Sequence, residues 1–172
     1  TCLDPQQTSV TTALNIGRQL TDSLLDQDPE SGEIVPWLAT DWTVAEDLTS
    51  YDFTLREGVT FSDGTPLTSD VVAANFDAIV ALGASASLAN GYLAGYAGTE
   101  ATSDTEFTVS FSAPNVQFLQ GATTMSLGIL SADTAAAPAE ERCSAIVGSG
   151  PFVLDSYVPN DSTTIVKRDG YD

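Results

Sequence analysis

Residues 51–68 read YDFTLREGVTFSDGTPLT, and this stretch decides the fold. Large apolar residues alternate with polar ones at Tyr51, Phe53 and Leu55, which predicts a strand with one buried face. Two turn signals follow, and their glycines, Gly58 and Gly64, tolerate the left-handed backbone that tight turns need. The stretch therefore predicts a half-buried strand that leads into two successive turns.

A helix is predicted directly after this stretch. Residues 68–70 read TSD, which supplies an N-cap and an acidic residue in the first turn. Four apolar residues then recur at the spacing of one helical face, and Gly83 ends the pattern. These four residues are Val72, Phe76, Ile79 and Val80.

Upstream of residue 51 the pattern is mixed. Apolar residues at roughly helical spacing predict a helix over residues 11–25. The run DQDPESGE at 26–33 has the composition of a hairpin tip, and Ile34 and Val35 begin its return strand. Leu38 and Ala39 fit a short helical turn.

Downstream, residues 107–111 alternate in the same way as residues 51–55 and predict a second half-buried strand. Residues 132–142 are rich in alanine and helical, with an interruption at Pro138. Two final strands are predicted on either side of residues 159–161. Short strands in hairpins with helices between them indicate a mixed α+β fold.

The composition excludes several classes of site. The chain has 172 residues, of which 24 are acidic and 5 basic, so its formal net charge is −19, and it has no histidine. Catalytic sites of the Ser-His-Asp and Cys-His types need histidine, and so do histidine-rich metal sites. Nucleic acid and polybasic membrane patches both need clustered Lys and Arg. No apolar stretch is long enough to cross a bilayer.

Two cysteines, Cys2 and Cys143, lie near the two ends of the chain. If they pair, the bond closes a loop of roughly 140 residues, and chain entropy then stabilises the fold by about 4–5 kcal/mol. They could equally be small buried residues. The chain starts at Thr1 without a methionine, so we expect a processed or cut polypeptide.

Four motifs together resemble one protein family. They are LDPQ at 3–6, GEIVPWLATDW at 32–42, the stretch at 51–68 and GSGPF at 148–152, and RDGY at 168–171 is a variant of a further one. Their order and spacing resemble the extracytoplasmic solute-binding proteins of ABC importers, in the dipeptide, oligopeptide and nickel-binding class. The resemblance spans nearly the whole chain.

The resemblance implies a division of the chain. Residues 1–33 and 147–172 would belong to the first main lobe of a periplasmic-binding-protein-like fold. Residues 34–146 would form the extra small domain of the peptide-binding class. The second lobe would lie beyond residue 172, so we expect this chain to be the N-terminal third of a longer protein.

The resemblance also implies a function. A small solute, in the first place a short peptide, would be captured between two lobes and delivered to an ABC permease in the membrane. Nickel chelates, sugars and other solutes are alternatives on the same scaffold. The implied protein is a monomer in the periplasm or a cell-surface lipoprotein, with no enzymatic activity, cofactor or metal site. A secreted hydrolase with paired carboxylates and a structural domain are the alternatives from other classes.

Some residue roles follow from the resemblance. Thr1, Cys2, Leu3 and Asp4 would lie at the cleft edge, close to ligand, although a plain strand-end turn at Asp4 is the rival interpretation. Cys2 and Cys143 would form a disulfide, because the segment after Cys143 returns to the lobe that holds residue 2. A lipid-bearing cysteine would lie further upstream.

Three further side chains have two possible roles each. The tryptophans Trp37 and Trp42 are expected in the core, with stacking on a ligand as the alternative. Arg56 is expected to pair with carboxylates, with a ligand role as the alternative.

Overall fold

The computed structural model describes residues 4–7, 20–143, 146–150, 152–158 and 162–168. Its largest element is a four-stranded antiparallel sheet with the strand order β3-β4-β6-β5. The strands are β3 (Ala39–Val44), β4 (Ser50–Leu55), β5 (Tyr96–Ala101) and β6 (Glu106–Phe111). In the two central strands Phe53 lies opposite Phe107, and their rings stack with centroids 5.3 Å apart.

Two separate hairpins flank this sheet in sequence. The strands β1 (Leu25–Gln27) and β2 (Ile34–Pro36) form the first, and β7 (Phe152–Val158) and β8 (Ser162–Lys167) form the second. Asp28 organises the tip of the first hairpin, because its carboxylate accepts hydrogen bonds from the backbone N–H groups of Glu30 and Ser31. These bonds lower the pKa of the Asp28 carboxyl.

The helices whose whole length the structure describes lie in the middle of the chain. They are α1 (Ser69–Leu82), α2 (Ser87–Tyr92), α3 (Phe118–Ala122), α4 (Ala132–Ala136) and α5 (Ala139–Arg142), with 3-10 turns at Gly83–Ala86 and Met125–Leu127. Helix α1 begins after Thr68 and ends at Gly83, which has a φ of 55°. None of the helices in the described segments combines the length and hydropathy that crossing a bilayer requires.

The main core lies between the sheet and helices α1 and α3. Phe118, from the short helix α3, is fully buried at its centre. The rings of Tyr51, Phe53, Phe76 and Phe111 surround it at centroid distances of 5.0, 5.9, 5.8 and 5.2 Å. The apolar faces of β4, β6 and α1 thus all pack against the ring of Phe118. Phe118 itself belongs to none of the sequence patterns that predicted those faces.

A second, smaller cluster lies apart from this core. Leu20, Leu130 and Ile146 are buried together, and Phe152 and Ile165 of the last hairpin pack against them. The α+β class is therefore confirmed, and the apolar side chains divide between a large core and a small one.

Two predictions about local structure were wrong. The helix predicted over residues 11–25 does not reach Leu25, which begins β1; of the helix itself, residues 11–19 lie outside the described residues. The helical turn predicted at Leu38 and Ala39 does not form: Ala39 begins β3, Leu38 N–H bonds to the Ser23 carbonyl and Ala39 N–H bonds to the Leu24 carbonyl. Pairing between these distant segments outweighs the local helical spacing.

Candidate functional site

The crossover at residues 148–150 packs tightly against residues 20–22. Gly150 N–H donates to the Leu20 carbonyl at 3.0 Å, and Ser62 N–H donates to the Gly148 carbonyl at 3.0 Å. A Cβ atom at Gly148 would lie 2.3 Å from the Leu20 carbonyl oxygen. Only glycine fits at position 148. The GSGPF motif therefore lies in contact with both the loop before α1 and the segment before β1.

A cavity of about 390 Å³ opens at this junction. Its volume falls within the range of about 300–1,000 Å³ that is usual for small-molecule sites. Two stretches of the chain, 37–38 and 56–60, and three single residues contribute to its walls. The lining residues are Asp22, Trp37, Leu38, Arg56, Glu57, Gly58, Val59, Thr60, Ser149 and Arg168.

Two buried polar side chains form one wall of the cavity. The Ser149 hydroxyl donates to Oδ2 of Asp22 at 3.2 Å, and the two residues are only 1% and 3% exposed. Asp22 is held in place through its backbone as well, since its carbonyl accepts from Ile129 N–H at 3.0 Å. Buried polar groups of this kind fix the orientation of a bound molecule.

Arg56 reaches the cavity from the turn after β4. Its Nε and Nη2 both donate to the Trp37 carbonyl, at 3.1 and 3.0 Å. Arg56 therefore binds a neutral oxygen where a carboxylate partner was predicted. This arrangement leaves its Nη1 group pointing away from the Trp37 carbonyl, because the guanidinium fork is planar.

Arg168 follows β8 and joins the other walls. Its Nη1 donates to the Ser149 carbonyl at 3.1 Å. Its Nη2 lies 2.7 Å from the Thr60 carbonyl, 3.0 Å from the Thr60 hydroxyl and 3.1 Å from the Phe61 carbonyl. One half-buried side chain thus connects the last hairpin, the crossover and the turn after β4.

The first residues of the chain enter a different, fully buried network. Asp4 accepts from Gln6 N–H at 2.9 Å and from Nε2 of Gln7 at 2.8 Å, and Nε of Arg142 lies 2.9 Å from its Oδ2. Gln6 Nε2 donates to Oδ1 of Asn75 at 2.8 Å, and Arg142 also bonds Oε1 of Gln6. The network connects the N-terminal segment to α1 and α5.

Burial dominates the electrostatics of this network. It raises the pKa of the Asp4 carboxyl above its ordinary value, and the Arg142 charge and the hydrogen bonds oppose it only in part. It also lowers the pKa of the Arg142 guanidinium, against the effect of Asp4. Asp4 and Arg142 therefore form a buried ion pair. Desolvation disfavours the charged form of both groups, and their mutual attraction offsets only part of that cost.

The comparison with known families now decides the identity. Residues 33–172 match the sequence profile described as "Bacterial extracellular solute-binding proteins, family 5 Middle". The chain belongs to this family. The resemblance stated from the four motifs is therefore confirmed.

Individual members of family 5 match over most of this chain. The nickel-binding periplasmic protein of Escherichia coli K12 is 29% identical over 150 residues, covering 81% of this chain and 27% of the relative. The glutathione-binding protein GsiB of the same strain is 28% identical over 177 residues, covering 99% and 33%. The chain thus spans about a third or less of the length of these relatives.

A solved structure of a similar protein has the same fold. The dipeptide-binding protein from Pseudoalteromonas sp. SM9913, in complex with Met-Leu, superposes with a TM-score of 0.86 and is 25% identical. The alignment covers 99% of this chain and 38% of that one. The fold of this chain therefore corresponds to a part of a larger binding protein.

Of the four residues predicted to lie near ligand in this family 5 chain, the structure describes Asp4. Its carboxylate is fully buried and faces Arg142, and it does not line the cavity described above. Thr1, Cys2 and Leu3 lie outside the described residues, so ligand proximity of residues 1–4 stays a prediction.

Of the two cysteines in the predicted disulfide, the structure describes Cys143. Cys143 follows α5, is half-buried and is not a free thiol. Cys2 lies outside the described residues, so the pairing of Cys2 with Cys143 stays a prediction. In the parts of the chain that the structure describes, no group of three or more Cys, Asp or Glu side chains is placed to hold a metal ion.

Several lining residues of the family 5 cavity were missed from the sequence. Asp22 lay inside the predicted helix and carried no signal of its own. Ser149 and Arg168 entered the sequence analysis only as members of the motifs at 148–152 and 168–171. Of the two tryptophans, Trp42 packs against the core as predicted, whereas Trp37 lines the cavity.

Proposed function

We propose that this chain is part of the extracytoplasmic solute-binding component of an ABC importer, which captures a short peptide between two lobes and delivers it to the permease. One observation carries the proposal: a family 5 chain has a cavity of ligand size, about 390 Å³, lined by charged and aromatic side chains where its segments converge. Sites for small molecules combine such concavity with a few fixed polar groups.

We assign the domains of the chain as the family resemblance implies. We assign residues 1–33 and 147–172 to the first main lobe and residues 34–146 to the small domain. The smaller buried cluster supports the grouping of the two ends of the chain, because Leu20 packs there with Phe152 and Ile165, and Leu130 and Ile146 join it from the end of the small domain. A second lobe, supplied by the longer protein, would close the cleft by a hinge motion.

Short peptides are the favoured ligand class. Glutathione is a tripeptide derivative and Met-Leu a dipeptide, and both appear in the names of proteins similar to this chain. Binding and release without covalent change would need no catalytic group, so we assign no enzymatic activity. We place the protein in the periplasm or on the cell surface as a lipoprotein, as a monomer with a Cys2–Cys143 disulfide and with residues 1–4 close to ligand.

A nickel chelate is the second candidate ligand. It is favoured by the 29% identity to a protein named for nickel binding. A nickel complex would have to bring most of its own ligands, because the described residues contain no cluster of metal-binding side chains.

The test is calorimetry on the full-length protein. Titration with a library of di- and tripeptides should give heat and micromolar or tighter dissociation constants, and the peptides should be recovered unchanged. Heat from a nickel chelate alone would select the second candidate. Cleaved peptides would contradict the binding role and favour a hydrolase.

A further inference from the structure

The distribution of positive charge in this chain is uneven. Only five residues are basic, against 24 acidic ones, so a base without a carboxylate partner is unexpected. Yet two of the five, Arg56 and Arg168, line the same cavity. Two acidic residues among the described ones, Asp22 and Glu57, line it as well.

Neither of these two guanidinium groups is paired with a carboxylate among the described residues. The ion pair within those residues joins Asp4 to Arg142, and neither of them lines the cavity. Every hydrogen bond of Arg56 and Arg168 ends on a carbonyl or hydroxyl oxygen, which is neutral. These bonds fix the direction of both side chains and leave their charges available.

The acidic residues of the cavity form no ion pair with either arginine among the described residues. The Asp22 carboxylate is buried and accepts from the Ser149 hydroxyl. Glu57 is exposed and adjacent to Arg56 in sequence. Both guanidinium groups therefore line the cavity without a carboxylate bound to them.

We propose that Arg56 and Arg168 receive a carboxylate of the captured solute, with Arg56 as the residue that determines specificity for it. This inference rests on the proposed function. The planar guanidinium presents donors that match the two oxygens of a carboxylate, and the Nη1 group of Arg56 has no partner among the described residues. Arg168 holds the Thr60 and Ser149 walls in place and adds a second positive charge to the lining of the cavity.

The test compares two probes on the full-length protein at fixed ionic strength: trialanine and trialanine amide, which lacks the terminal carboxylate. Trialanine should bind about tenfold more tightly, as expected for a hydrogen bond to a charged group. Arg56→Gln should weaken trialanine by about tenfold and leave the amide unchanged. Arg56→Lys, which keeps the charge and loses the fork, should fall between.

The matched control is Lys167→Gln. It removes one positive charge from the residue next to Arg168, and Lys167 is exposed and does not line the cavity. It should change neither affinity. A general effect of net charge would instead weaken trialanine equally in Lys167→Gln and Arg56→Gln, and that result would overturn the inference.

Other outcomes separate this inference from the proposed function. Equal affinity for trialanine and its amide would overturn the carboxylate site while leaving peptide capture intact. No heat from either probe would also overturn it, and the peptide library described above would then show independently whether peptide capture has failed as well.

Discussion

The Nε atom of Arg142 lies 2.9 Å from the Oδ2 atom of Asp4, and the two side chains are 1% and 0% exposed. The pair joins the first described residues to the last turn of α5. Removing one partner of such a pair leaves the other as an uncompensated buried charge, which costs far more than an exposed pair contributes.

Arg142→Met should therefore lower the free energy of unfolding by about 3–5 kcal/mol, measured by urea denaturation. Lys167→Met, which truncates an exposed cation, should stay within about 0.5 kcal/mol of the wild type. In the double variant with Asp4→Asn, the loss should be smaller than the sum of the single losses, since no charge is left unpaired. Equal losses for Arg142→Met and Lys167→Met would show that the buried pair contributes nothing.

The pH dependence of the same pair has a definite sign. Burial raises the pKa of Asp4 in the folded chain above its ordinary value of 3.8, so folding favours the protonated form. Between these two pKa values the folded chain holds more protons than the unfolded chain, and stability falls as pH rises. The free energy of unfolding of the wild type, relative to Asp4→Asn, should therefore be highest at the acidic end of the interval and decrease through it.

A free energy of unfolding that rises with pH would contradict the dominance of burial at Asp4. If the relative stability of the wild type grows with pH, the Arg142 charge and the hydrogen bonds from Gln6 and Gln7 outweigh burial. Urea unfolding of both proteins at a series of pH values above 3.8 distinguishes the two cases.

Gly148→Ala should destabilise the chain by about 1–3 kcal/mol, because the added Cβ would overlap the Leu20 carbonyl at 2.3 Å and the Thr21 Cγ2 at 2.7 Å. The matched control is Gly91→Ala in α2, where no atom lies within 4 Å of the new Cβ. That change should stabilise by up to about 1 kcal/mol, since alanine favours the helix. Thermal unfolding of both variants measures these effects. The Tm should fall for Gly148→Ala and rise for Gly91→Ala.

Phe118→Ala should cost about 3–5 kcal/mol, because the ring stands at the centre of the aromatic core and its removal leaves a cavity. Val116→Ala, two residues earlier and 73% exposed, should change stability by less than about 0.5 kcal/mol. A small effect at Phe118 would mean that the surrounding rings collapse into the space.

The purified, unreduced protein should show no thiol that reacts with iodoacetamide, as judged by mass, and reduction should expose two. Ser at both positions, Cys2→Ser with Cys143→Ser, should lower the free energy of unfolding by about 4–5 kcal/mol if chain entropy accounts for the effect. Two reactive thiols before reduction would contradict the predicted pairing.

The parts of the fold that the sequence predicted are those with a local cause. The alternation in residues 51–55 and 107–111 and the spacing of Val72, Phe76 and Ile79 in α1 each follow from which face is buried. Val80, predicted on the same face of α1, is instead 44% exposed. Gly83 ends α1 because its left-handed φ of 55° suits glycine. By contrast, the helix predicted as far as Leu25 failed because residues 23 and 24 bond to residues 38 and 39, a pairing that no local window contains.

The candidate site was largely beyond prediction for the same reason. Asp22 and Ser149 are 127 positions apart, and Arg168 and Thr60 are 108 positions apart. These residues come together because of the close packing at Gly148. The sequence motif at 148–152 does not show which side chains that packing brings into contact. Family resemblance located the junction, and only the packed structure showed which side chains line it.

The buried network also has a consequence for how the chain is made. Gln6 and Arg142 are 136 positions apart in sequence, and a ribosome adds about 5–20 residues per second. The N-terminal segment therefore waits on the order of 10 s before its arginine partner has been synthesised. Through that interval Asp4 and Gln6 remain in water, so these residues reach their native positions only after Arg142 has been synthesised.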